Sequence, residues 1–404
     1  MPKTSDSAIV SPDAAHRVGV HRVDPMNAPA EQSRATVSAD AVPTTMCAVH
    51  LTGHGGYAML DYRTDVPTPS AGPGEVLIQV GAAGVNNTDV NTRIGWYSKS
   101  VTAGTNDGGD GFANDTTDDA AWTGSPLELP RIQGADCCGR ILAVGSGVDA
   151  TRIGERVVVR SMQGGRNPNE PMEPFTFGSE CDGGFAQFTT ARSHDALRVD
   201  SDWTDVELAS LPCAYSTAEG MLHRANVAGG RVLITGASGG VGSALVQLAK
   251  RRGCEVVAVA GAAKFDQVRR LGADQLVARD ADLLAELGAG SIDVALDVVA
   301  GPGFGALLDV LRIGGTYVTV GAIAGPIVEL DVRTLYLHDL TLMGCTFQPD
   351  VVFENLVSYV EANEIRPLVA ATYPLHQIAE AQRRFLRKEF VGKLVLIPPA
   401  IGPA

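Results

Sequence analysis

The segment VLITGASGGVGSALVQLAK, Val232 to Lys250, opens on a four-residue β-type run, passes through a glycine and serine cluster, and closes on a helical pattern. Its spacing is Ala237-x-Gly239-x-x-Gly242, flanked by Gly236 and Gly240. Small residues at those places let the backbone approach a pyrophosphate. The N-terminus of the following helix offers unpaired N–H groups and the positive end of its dipole. A glycine motif alone is weak evidence. Here a strand precedes it, a helix follows, and a second strand, CEVVAVAG from Cys254, arrives at the expected distance, so a dinucleotide site is expected. The candidate cofactor residues are Ala237, Ser238, Gly239, Gly240, Val241 and Gly242, with Gly261 and Lys264 after the second strand and Gly321 after a later one. Val232 to Ala249 carries no charge, which invites a membrane-span reading. The Gly/Ser cluster in its middle reads instead as a strand–turn–helix, and the N-terminus has no signal-type apolar core. A soluble, cytoplasmic protein with no membrane partner is expected.

The end of the second strand bears on which dinucleotide binds. An NAD site usually places Asp or Glu here to hold the ribose hydroxyls. This chain has Ala260 and Gly261, followed by Lys264. Without a carboxylate to repel a 2′-phosphate, and with a lysine to attract one, NADPH is expected over NADH. The competing reading of Lys264 is a solvated residue in a first helical turn.

Outward from the glycine turn, strands at RVLITG, CEVVAVAG, DQLVA, DVALDVV and GTYVTVG alternate with helical segments, the pattern of a doubly wound parallel sheet covered on both faces. This unit is read over 205–347, beginning with the helically spaced VELASLPCAYSTAEGMLHRA. Before it, over 46–204, short strands such as EVLIQV, GRILAVG and ERVVVR alternate with Gly and Pro turns, as in a mostly antiparallel barrel. Residues 348–404 return to that barrel through helices and a last strand, GKLVLIP. Residues 1–45, rich in Ala, Ser, Pro and Asp, read as a disordered or loosely packed extension. An acidic, Gly-rich insertion over 98–130 interrupts the barrel. Insertions of that length are functional or disordered, and a lid over a cleft, carrying Phe112 and Trp122, is one reading. Asp107, Asp110, Asp115, Asp118 and Asp119 do not match the calcium-loop spacing.

A formal net charge of −14 argues against a nucleic-acid partner. Seven scattered cysteines without a CxxC pair argue against a disulfide framework or a structural zinc.

Taken in order, GVNNTDVNTRIGWY, GADCCGRILAVGSGVDATRIGERVVV, the glycine turn, RRLGAD, DVVAGPGFGALLDVLRIGGTYVTVG and VGKLVLIP resemble the medium-chain dehydrogenase/reductase superfamily from Met46 to Pro398. The resemblance implies a GroES-like catalytic domain, a Rossmann domain and an active site between them. It also implies a homodimer joined through GTYVTVGAI and LTLMGCTF. Zinc-dependent relatives place Cys-His where this chain has Asn86-Asn87, and Gly-His-Glu where it has Gly134-Ala135-Asp136. Only Cys213 matches a third ligand position, so no zinc is expected. The stretch is similar to the zinc-independent quinone oxidoreductase branch, which implies catalytic roles for Asn86, Asp89, Arg93 and Tyr97. Asn91 departs from that branch, where a second Tyr is frequent.

Without a Lewis acid, reduction of an activated C=C is the easier chemistry, because a developing enolate oxygen needs only hydrogen-bond donors. Asn86 and Tyr97 are the expected donors, Arg93 a nearby charge, and Asp89 an orienting group. Each has a structural alternative: Asn86 as a helix cap, Asp89 and Arg93 as an i,i+4 ion pair, Tyr97 as a wall. The expected substrate is a small unsaturated carbonyl compound. Alcohol or carbonyl oxidoreduction, and an NADPH-binding protein without turnover, are the alternatives.

Overall fold

The computed structural model describes residues 42–112, 119–124, 126–164, 172 and 175–401. The expected extension, up to residue 41, and Asp115 and Asp118 of the insertion lie outside the described residues.

Eight strands form the first half: β1 (Thr45–Leu51), β2 (Leu60–Pro67), β3 (Glu75–Gly84), β4 (Arg131–Ile132), β5 (Cys138–Val144), β6 (Arg156–Val159), β7 (Phe188–Arg192) and β8 (Ala196–Arg198). Every pairing among these eight strands is antiparallel. One helix, α1 (Asn87–Ile94), leaves the end of β3. Alternating residues of these strands, among them Val76, Ile78, Ile141 and Val157, bury together with Phe177, Phe185 and Phe188 as one core. Full burial of such a side chain stabilises by about 1.5–3 kcal/mol.

The second half is a six-stranded parallel sheet of β9 (Arg231–Ile234), β10 (Glu255–Ala260), β11 (Gln275–Ala278), β12 (Ile292–Asp297), β13 (Leu311–Thr319) and β14 (Thr341–Gly344). Its order is β11-β10-β9-β12-β13-β14, so the strand order reverses between β9 and β12. Ligands of doubly wound sheets bind at that switch point. Two apolar clusters cover opposite faces of the sheet. The turn after β9 needs glycine for two separate reasons. Gly236 adopts φ +57, and a Cβ at Gly242 would lie 2.1 Å from the Gly236 carbonyl oxygen. The helical spacing upstream resolves into Asp205–Leu208 and Pro212–Arg224, with Pro212 opening the second helix, where its missing N–H is no loss.

The helix Asp350–Glu361 packs its Phe353, Leu356 and Val360 into the core shared with helix Pro212–Arg224. The chain crosses back only at β15 (Val369–Pro374), which pairs in parallel with β16 (Lys393–Ile397). β16 in turn pairs with the end of β3, which sets Lys393 near the start of α1. No helix among the described residues is long and apolar enough to cross a membrane.

Candidate active site

β3 runs out at Gly84, and Asn86, with extended φ −125 and ψ 163, begins α1 as its cap. Asp89, three residues on and 2% exposed, accepts the N–H of Asn86 at 2.7 Å and that of Ala135 at 3.2 Å. Burial pushes its carboxyl up to about 7, against the pull of those two N–H groups. Asp89 thus clamps the start of α1 to the segment carrying Asp136.

The Asn86 amide is enclosed. Its Nδ2 donates to Asp136 Oδ2 at 2.9 Å, and its Oδ1 accepts from the Lys393 ammonium. Lys393 Nζ closes the ring on Asp136 at 2.9 Å, and the other Asp136 oxygen accepts the Cys213 N–H at 2.6 Å. Asn86, Asp136 and Lys393 are all buried. Asn86 therefore stands at the N-cap position of α1 without a side-chain capping hydrogen bond, its amide held in a closed network that offers the cleft no free donor, unlike its expected role. The Cys213 thiol, pushed well up by burial and by Asp136, is disfavoured as a thiolate. A catalytic zinc needs three protein ligands. An amide, a methyl (Ala135), a reluctant thiol and a lysine ammonium do not fit one. Among the described residues no group of three or more His, Cys, Asp or Glu is placed to hold a metal.

Arg93 lies elsewhere. Fully buried, it donates to Gln382 Oε1 at 2.7 Å, to the Gly55 carbonyl at 2.7 Å and to the Gly109 carbonyl at 3.3 Å, and its guanidinium covers the Tyr57 ring. It ties α1 to helix Ile378–Arg387 and to the insertion. It forms no ion pair with Asp89. Tyr97 is half-buried, with its hydroxyl donating to Thr88 Oγ1 at 3.2 Å. Burial pushes that hydroxyl up to about 12, and Cys213 and Asp89 are among its electrostatic neighbours. Asn87, Thr88, Tyr97 and Cys213 are the partly accessible groups around the start of α1.

Three lysines stand between this region and the glycine turn. Lys264 Nζ reaches Ser238 Oγ at 3.5 Å and the Lys388 carbonyl. Lys388 Nζ donates to Asn87 Oδ1 at 3.0 Å. Burial, then Lys264, then Lys393, lower the Lys388 ammonium to about 7. The Lys393 stem lies against Gly240, where a Cβ would meet its Cδ at 2.9 Å. Gly392 N–H donates to the Ser238 carbonyl at 3.1 Å. At the end of β10, a Cβ on Gly261 would lie 2.9 Å from Arg279 Nη2. Arg279 also donates its N–H to the Ala260 carbonyl at 3.0 Å. Cations on that side, with no carboxylate at the strand end, fit a phosphorylated ribose. Gly321 adjoins the Val298 carbonyl, across the switch point. Beneath it, Asp297 accepts the Thr235 and Tyr317 hydroxyls at 2.5 and 2.6 Å and the Val299 and Ala300 N–H groups at 2.9 and 3.1 Å. Thr88, Lys388, Lys393, Arg279 and Asp297 escaped the sequence reading. Lys393 does lie in the quoted VGKLVLIP, but its partners are far away in the chain.

Two family models match the chain: the alcohol dehydrogenase GroES-like domain over 72–201 and the zinc-binding dehydrogenase over 240–362. The chain belongs to the medium-chain dehydrogenase/reductase superfamily of oxidoreductases, whose members bind NAD(P)H. It is 28% identical over 367 residues to human quinone oxidoreductase, covering 87% of this chain and 98% of that one. Its match to polyketide synthase GfsB of Streptomyces halstedii, also 28% identical, spans only 6% of that protein. Among solved structures, an alcohol-dehydrogenase candidate from Sinorhizobium meliloti 1021 is 46% identical with a TM-score of 0.81, covering 89% of this chain and 98% of that one. The 2-octenoyl-CoA carboxylase reductase CinF, solved with NADP and 2-octenoyl-CoA, is 25% identical with a TM-score of 0.72 and covers 90% of each chain.

Proposed function

We propose that this oxidoreductase uses NADPH to reduce an activated carbon–carbon double bond, in a quinone, enone or related unsaturated carbonyl compound, without zinc. The observation that carries the reading is the closed Lys393–Asn86–Asp136 ring at the position where metal-dependent relatives hold their ion. Human quinone oxidoreductase and CinF, as their names describe them, support the same class of chemistry. Ser238 and the Gly239–Gly242 turn would hold the pyrophosphate, and Lys264 and Arg279 would hold the 2′-phosphate. NADPH, when bound, supplies a hydride equivalent. Hydride added to the β-carbon breaks the C=C π bond and leaves the electron pair on an enolate. The Thr88 hydroxyl donates a hydrogen bond to that oxygen. Tyr97, protonated at neutral pH, gives its proton to the α-carbon and recovers it from solvent.

The test is NADPH consumption across enones, quinones, enoyl thioesters and aldehydes, beside metal analysis of the purified protein. Activity on enones or quinones without stoichiometric zinc is expected; one tightly held zinc per chain contradicts the reading. The 46% identity to the S. meliloti protein favours a second reading, alcohol or carbonyl oxidoreduction, which predicts turnover with aldehydes and simple ketones.

A homodimer belongs to the same proposal. β14 ends the sheet, and beside it Ile313, Ile327, Val332, Tyr336 and Leu337 are exposed. An open groove of about 510 Å³ lined by Leu335, Tyr336, Asp339, Leu340 and Leu342 adjoins that edge. An unpaired strand edge with an apolar surround is suited to pairing with a second copy.

A further inference from the structure

The acidic insertion brings an aromatic surface to the start of α1. The Trp122 ring lies parallel to Tyr97, with centroids 6.2 Å apart and planes 3° from parallel, and Trp96 meets Tyr97 edge-on at 5.6 Å. These rings are held in place from several sides. Trp96 Nε1 donates to the Ala103 carbonyl at 3.0 Å. Lys99 N–H donates to Asp119 Oδ2 at 2.9 Å, which draws the Trp122 side of the insertion back onto its start. Ala120 and Ala121, just before Trp122, are buried. Further along, Thr105 N–H donates to the Ile323 carbonyl at 3.0 Å, just past Gly321 on the cofactor side. The described part of the insertion therefore reaches both Tyr97 and the loop after β13. Tyr97 and Trp122 remain partly accessible, with the Tyr97 hydroxyl directed to Thr88.

We infer that Trp122 is a specificity-determining residue: with Tyr97 it forms a flat wall that selects a neutral, planar, aryl-conjugated enone over an alkyl enone or a coenzyme A thioester. This rests on the proposed function. With the carbonyl at Thr88, a rigid conjugated substituent extends along the paired rings, where stacking adds about 0.5–1.5 kcal/mol beyond area burial. Charge argues against the thioester. The described residues of the insertion carry Asp107, Asp110, Asp119 and Glu128 against Lys99 alone, and Asp107 and Asp110 are exposed. A carrier with several phosphates meets like charge at this border. The cations of the cleft, Lys264, Lys388 and Arg279, lie on the nucleotide side.

The inference is tested with the enones in the NADP+ complex, which has no hydride to give, so that binding is read without turnover. Benzylideneacetone and ethylideneacetone are titrated calorimetrically into the full chain saturated with NADP+, for the wild type, Trp122→Ala and Trp122→Phe. Trp122→Ala is expected to weaken benzylideneacetone by about two- to tenfold, matching the stacking energy, while ethylideneacetone changes little. Trp122→Phe restores most of the loss, and NADP+ affinity is the same in all three. Equal weakening of both enones, or no weakening, overturns the inference. Turnover of benzylideneacetone, ethylideneacetone and crotonyl-CoA is measured alongside, and a preference for crotonyl-CoA also overturns it. If no enone is reduced but the binding selectivity holds, the wall stands and the reductase reading falls.

Discussion

At the scale of single residues, Lys393 decides how the start of α1 is held. Asn86-Asn87 was conspicuous in the sequence, as two amides at the end of an apolar strand. Its meaning was not, because the group that completes it arrives 307 residues later on β16. Local pattern carries no information about such a pairing. Lys393→Met leaves the Asp136 carboxylate buried without its cation, which is expected to cost about 3–5 kcal/mol, read from denaturant unfolding; a loss below about 1 kcal/mol places the pair in solvent-like surroundings. Lys388 supplies a pH signature. Its ammonium is lowered to about 7, so it is charged below that pH and neutral above it. An anionic cofactor prefers the charged form, so NADPH affinity is expected to fall as pH rises above about 7, by at most about tenfold per pH unit. Fluorescence titration of Lys388→Met checks this: its profile flattens if Lys388 is the titrating group, and keeps the wild-type slope if it is not.

At the scale of elements, the glycine turn was the most legible part of the chain, because its spacing is local and follows from what a backbone must do beside a phosphate. Gly242→Ala puts a Cβ 2.1 Å from the Gly236 oxygen. A loss of NADPH affinity of at least about tenfold, or 1.4 kcal/mol, is expected, and unchanged affinity places the cofactor elsewhere. α1 was legible as a helix carrying Asp89 and Arg93, with Tyr97 in the turn just past its end, but not in the direction of its side chains. Arg93 looked like an active-site cation four residues from an acid. In the fold it turns away from Asp89 into Gln382, Gly55 and Gly109. Arg93→Met strands those acceptors and is expected to cost about 2–4 kcal/mol, while the KM and kcat of the folded enzyme stay near wild type. A selective fall in kcat with unchanged stability restores Arg93 to the chemistry. The insertion was legible only as acidic and glycine-rich. Its anchors, Trp96 on Ala103 and Thr105 on Ile323, depend on a tertiary context that no periodicity reports.

At the scale of the whole molecule, the parallel sheet and the antiparallel barrel followed from strand spacing and turn residues, and the return of the chain to the barrel followed from the last strand. The helix Asp350–Glu361 was harder, because its apolar face suits either half and only its contacts with helix Pro212–Arg224 decide the matter. The exposed edge of β14 gives the assembly prediction. Leu342→Lys places a charge on that edge, and sedimentation is expected to show a shift from dimer toward monomer with cofactor affinity preserved; an unchanged dimer moves the interface elsewhere. The proposed zinc-free enone reduction joins all three scales: a cofactor sheet, a barrel in which Lys393 pairs with Asn86 and Asp136, and the cleft proposed for enolate chemistry. It is tested most directly by following deuterium from labelled NADPH into an enone, by product NMR, with zinc assayed in the same preparation. The account predicts a saturated ketone with deuterium at the β-carbon, formed at a rate that chelators leave unchanged and without stoichiometric zinc. Deuterium on the carbonyl carbon of an allylic alcohol, or a rate that tracks one bound zinc per chain, contradicts it.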